Sequence, residues 1–150
     1  MDAIRDLLNR FRKREEIPYL TQDTLKALYM IMGKCREMLV KSFINIKDRK
    51  LREVYDAFSF MMLHYDKLFQ FIRRCCGAPL YDDSYTNIDV EPYLAQLPLE
   101  LAIRMRRVVT YIEMLYKSSS TASSSEIKTL VLELDNAIED IARTLSRLTR

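Results

Sequence analysis

At 150 residues, with 49% hydrophobic and 30% charged positions, the chain has the size and balance of one ordinary domain. Two glycines and four prolines leave almost nothing from which to build glycine-rich phosphate loops, hairpin turns or dinucleotide fingerprints, so an all-α fold follows. The net charge of +3 is unevenly spread: residues 1–74 hold 16 Lys/Arg against 10 Asp/Glu, whereas residues 75–103 hold five acids and no Lys or Arg.

The first helix is expected over about Asp2–Glu16, with Ile4, Leu7, Leu8 and Phe11 as its apolar stripe. Pro18 ends it, because the residue before a proline disfavours helical dihedrals. Its last turn carries Arg10, Arg12, Lys13 and Arg14, where cations suit the helix dipole. The second helix starts at Thr21 or Asp23 and runs to about Ile44, with Cys35 on its apolar stripe as a small buried hydrophobe. Gly33 falls in mid-helix at a cost of about 1 kcal/mol, which indicates close packing there.

The third helix has the strongest pattern: an apolar stripe from Leu51 to Ile72, Asp48 as its cap, and Gly77 as a left-handed stop. Lys47, Arg49, Lys50 and Arg52 cluster at its start. Residues 78–97 form a long connection with Pro79, Pro92 and three tyrosines, expected to hold a short helical turn near Ile88–Leu97 or to be an ordered loop wrapped by Tyr81, Tyr85 and Tyr93. The fourth helix opens with Pro98 at its first position and buries Leu101, Met105, Val108, Ile112 and Leu115, leaving Arg104, Arg106 and Arg107 mainly off that face.

Residues 118–125, Ser-Ser-Ser-Thr-Ala-Ser-Ser-Ser, have little apolar surface to bury and read as a flexible tether. The expected organisation is therefore a helical-bundle body over 1–117, a serine-rich linker over 118–125 and an amphipathic helix over 126–150. Ser123 and Glu126 have capping-box spacing for that last helix. Leu134, Ile138, Ile141, Leu145 and Leu148 then repeat at four, three, four and three residues. Such a seam can hold a partner or a second copy, or dock on the chain's own body.

Catalytic and metal chemistry have little material. His64 is the single histidine and lacks metal-ligand spacing to other donors; a polar residue beside the core stripe is expected. Cys75 and Cys76 end a helix and suit packing better than redox work, although Arg73 and Arg74 precede them. No catalytic residues, no metal and no cofactor are expected. With no apolar run of about 18 residues, the chain is expected to be cytoplasmic and to have no membrane contact.

The cations are the remaining candidates. Arg10, Arg12, Lys13, Arg14, Lys47, Arg49, Lys50, Arg52, Arg104 and Arg107 would contact phosphates without reading bases, because no aromatic stacking motif interleaves with them. The competing reading is a set of solvated helix faces.

Residues 1–117 resemble the helical A domain of archaeal GINS replication-factor subunits. The resemblance is carried by Met-Asp-Ala-Ile-Arg-Asp-Leu-Leu at the start, by the charged run Arg12–Glu16 and by Tyr19-Leu20-Thr21-Gln22-Asp23 leading into a helix. Gln96-Leu97-Pro98-Leu99-Glu100 followed by Met105 to Glu113 is similar to the family's last A-domain helix. The chain departs where the family has Asp-Phe-Tyr, here Asp23-Thr24-Leu25, and where a β-rich B domain would follow the linker. The resemblance implies a non-catalytic scaffold that joins a replicative helicase to other protein subunits. A small helical subunit of a CRISPR effector complex, or a virus-encoded helical structural protein, are the alternatives.

Overall fold

A computed structural model describes residues 2–10 and 20–148, and every described element is helical. The helices are α1 (Asp2–Arg10), α2 (Gln22–Asp48), α3 (Tyr55–Cys76), α4 (Glu91–Leu94), α5 (Leu99–Ser118) and α6 (Ser124–Leu148), with one 3-10 turn, Arg52–Val54, before α3. The all-α bundle read from the sequence is thus the fold.

The four long helices form a ring of neighbours in the order α2, α3, α6, α5. Sequential partners are antiparallel: Tyr65 of α3 donates to the Met32 carbonyl of α2 (2.6 Å), and Arg107 of α5 meets Asp140 of α6 (3.2 Å). The α2–α3 and α5–α6 turns share one end of the bundle, where Asn45 binds Ser119. Consequently α2 runs parallel to α5, and α3 parallel to α6. Short α4 packs on α2 and α5, and α1 packs on α6 and α3.

Local chemistry sets the boundaries. Thr21 caps α2, its hydroxyl accepting the Thr24 N–H at 3.1 Å. Gly77, at φ 73°, ends α3 as the sequence indicates. Asp48 does not cap the third helix; it is the last residue of α2, and α3 begins only at Tyr55, making it 22 residues long. The end of α2 forms a Schellman motif, with Leu51 N–H on the Ile46 carbonyl (3.2 Å) and Lys50 N–H on the Lys47 carbonyl (3.0 Å). That motif stops the chain for one turn before α3 can start.

The largest correction concerns the tethered arm. Ser118 closes α5, Ser124 and Ser125 already belong to α6, and only five residues turn between the helices. Ser119 is fully buried; its hydroxyl donates to the Tyr116 carbonyl (2.8 Å) and accepts from the Asn45 amide (3.0 Å). Serine is small enough to be enclosed in a tight turn and polar enough to satisfy the groups enclosed with it. Beyond the turn, Leu134, Ile138, Ile141 and Leu145 are buried against this chain's own helices, and Leu148 is half-buried. The seam therefore completes the bundle core and is not presented to a partner. Burying an aliphatic side chain contributes about 1.5–3 kcal/mol, so this helix is integral to the body.

The connection over 78–90 is pinned rather than loose. Tyr85 lies on α2 at Gly33, where any Cβ would collide with its ring. Tyr29 stacks on Phe69 (5.5 Å, 6°), and Tyr85 meets both rings edge-on. Thr86 accepts Lys34 on its carbonyl (2.5 Å) and donates its hydroxyl to Glu37 (2.6 Å). The helical turn expected over Ile88–Leu97 is α4.

Candidate functional site: the cationic end and the buried histidine

The end of the bundle at the α2–α3 turn gathers Lys47, Arg49, Lys50 and Arg52. Their roles differ. Arg49 is half-buried and donates to the Ser119 carbonyl (3.0 Å) and the Ala122 carbonyl (2.7 Å), clamping the α5–α6 turn to the end of α2. Two of the five guanidinium N–H donors are thereby held by backbone carbonyls, which gives Arg49 a structural part in this turn. Lys47, Lys50 and Arg52 are exposed, and none makes an ion pair among the described residues. Lys47 lies 5.9 Å from the centre of the Phe43 ring, and Lys50 is held at φ 60° by the Schellman motif. Acids stand beside them: Glu53 hydrogen-bonds Ser124, which holds its carboxyl below the usual range.

The cations on α5 are not grouped with this end. Arg104 reaches Glu100 (3.7 Å), Arg106 forms a two-pronged pair with Glu91 (2.9 and 2.8 Å), and Arg107 meets Asp140 while lying over the Tyr111 ring. Arg104 and Arg107 thus face acids of their own chain in solvent-accessible pairs. Arg12, Lys13 and Arg14 lie outside the described residues, as does the side chain of Arg10.

The feature that sequence reasoning missed is a pair 71 positions apart. His64 of α3 is 2% exposed, and its Nδ1 lies 2.8 Å from Asp135 Oδ1 on α6. Phe60 meets the imidazole edge-on at 4.5 Å, and Nε2 is buried with no partner. A carboxylate on Nδ1 is how a general base is oriented. Here, however, the nitrogen that would have to meet a substrate is sealed inside the bundle. Only the parallel packing of α3 and α6 brings the two residues together, and no local signal announces it.

The cysteines lie on helix faces that are buried to different degrees. Burial pushes the Cys35 thiol up to about 12, and burial also raises Cys76. Cys75 is buried at the end of α3. Among the described residues no three His, Cys, Asp or Glu side chains converge on a metal position. A cleft of about 630 Å³ lies between α2, α3 and the 78–90 connection, lined by Arg36, Phe69, Gln70, Tyr81, Asp82 and Tyr85 among others. Its inner charges are spent internally: Arg36 on Asp66 (2.7 Å), and Asp82 on the Tyr29 hydroxyl (2.7 Å) and on Ser84. The Tyr29 bond holds Asp82 below the usual carboxylate range, while burial and Asp82 raise Tyr29.

No protein-family model, curated protein or solved structure matches this chain. No described helix is long and apolar enough to cross a membrane.

Proposed function

We propose that the protein is a non-enzymatic helical subunit of a nucleic-acid-processing assembly, contacting backbone phosphates through Lys47, Lys50 and Arg52. The observation that carries this reading is the contrast between those three cations, exposed and without an ion pair among the described residues, and the arginines of α5, each facing an acid. The sealed His64 Nε2 and the raised thiols support a binding role over a catalytic one. Membership of a GINS-like replicative assembly rests on the resemblance of residues 1–117.

Binding of a labelled duplex is the direct test. With about three phosphates contacted, log K should fall with log salt at a slope of about −2.7. Reversing Lys47, Lys50 and Arg52 to glutamate should abolish binding without altering helicity. Failure to bind at low ionic strength would refute the phosphate reading. Mass spectrometry of the native complex tests the assembly: helicase and replication subunits support the GINS-like placement, whereas guide RNA with Cas proteins would overturn it.

A further inference from the structure

On the solvent side of α3, Asp56, Phe60, Leu63 and Lys67 follow one another at spacings of four, three and four residues, which places them on one line of the helix surface. Phe60 and Leu63 are 52% and 50% exposed and adjoin each other on this line, between the two charges. Asp56 and Lys67 are exposed and without an ion-pair partner among the described residues. Beside Leu63 the seam between α2 and α3 opens into a mainly apolar groove of about 380 Å³, lined by Val40, Phe43, Ile44, Met62 and Leu63 together with Ser59 and Asp66. Val40 and Ile44 add to the exposed apolar surface.

This line is complementary to itself. Asp56 lies four residues before Phe60, and Lys67 four residues after Leu63. A two-fold axis through the midpoint of Phe60 and Leu63 therefore sets Phe60 against a second Leu63, and Asp56 against a second Lys67. Parallel pairing would instead bring like charges together. We propose that this face joins two copies of the chain in an isologous dimer. The two α3 helices run antiparallel, and Phe60 of each copy packs against Leu63 of the other. Asp56 of each copy then pairs with Lys67 of the partner subunit.

The stretch from Asp56 to Lys67 spans about 16 Å at 1.5 Å per residue, so the interface is small and micromolar affinity is expected. The α6 seam plays no part, being buried within its own bundle. Lys47, Lys50 and Arg52 play none either, so the dimer and the phosphate reading stand or fall separately.

Sedimentation equilibrium of the full chain tests the proposal, with circular dichroism confirming that each variant is folded. The wild type should show a monomer–dimer equilibrium across the micromolar range. Asp56→Lys and Lys67→Asp alone should each weaken it about tenfold, since each reversal acts twice in a symmetric contact. The double exchange should restore wild-type association, and Leu63→Glu should leave only monomer. Wild type that stays monomeric would overturn the proposal and leave the face to a different protein. A dimer indifferent to Leu63→Glu, or a double exchange as weak as the singles, would also overturn it.

Discussion

Lys50 occupies the left-handed region at φ 60°, at the position of a Schellman motif where glycine is the usual occupant. A side chain with a Cβ costs about 1 kcal/mol there, so Lys50→Gly should raise the unfolding free energy by up to that amount in urea titrations. The same substitution removes one of the three proposed phosphate contacts, so stability and nucleic-acid affinity should move in opposite directions. Gly33 shows the reverse case. In an isolated helix, Gly→Ala gains about 1 kcal/mol, but here the added Cβ would strike the Tyr85 ring. Gly33→Ala is therefore expected to destabilise the protein and free Tyr85 from Tyr29 and Phe69, visible as loss of near-ultraviolet tyrosine dichroism. Mid-helix glycine was legible as a sign of close packing; the identity of the ring above it was not, because Tyr85 lies 52 residues away.

Between elements, the α5–α6 turn depends on Arg49 more than on its own serines. Hydrogen bonds from a charged donor contribute about 1.5–3 kcal/mol each, so Arg49→Ala should cost about 2 kcal/mol or more in chemical denaturation. Arg49→Lys should recover only part of that, because one ammonium cannot reproduce the fork that spans the Ser119 and Ala122 carbonyls. Helix α6 itself buries Ile127, Val131, Leu134, Ile138, Ile141 and Leu145. Removing six such side chains forfeits an amount comparable to the whole net stability of a domain, about 5–15 kcal/mol. A chain truncated before residue 118 should consequently lose cooperative thermal unfolding. The repeat of four and three residues revealed a buried helical face, yet the same repeat serves a partner or the chain's own core equally well.

Across the whole molecule, carboxylates tie separate segments together. Glu139 of α6 accepts the Ala3 N–H at the start of α1 (2.8 Å), while Ile4 and Leu7 of α1 are buried alongside. Burial raises the Glu139 pKa, but hydrogen bonding at the start of α1 and the Arg143 charge outweigh it and leave a net lowering. Asp82, which ties the 78–90 connection to Tyr29, is lowered as well. Depressed carboxylates add stability above their unfolded pKa values, near 4, and lose it as pH falls through the folded values. The melting temperature should therefore fall below about pH 4, with α1 and the 78–90 connection releasing first. Glu139→Gln should flatten that dependence, which thermal melts over the acidic range would show.

The amino-acid sequence by itself determined the helices, because apolar spacing, the Thr21 cap and the Gly77 stop act within a few residues of where they are written. It also determined that glycine-built loops are absent, since the residues for them are missing. Tertiary structure alone decided which helix faces which. It turned an apparent serine tether into a clamped turn and an apparent docking seam into core. It also joined His64 to Asp135 and set Arg107 against Asp140. The Asn45–Ser119, His64–Asp135 and Arg107–Asp140 contacts join residues 74, 71 and 33 positions apart, set by how the four long helices share one core, and no local pattern encodes them.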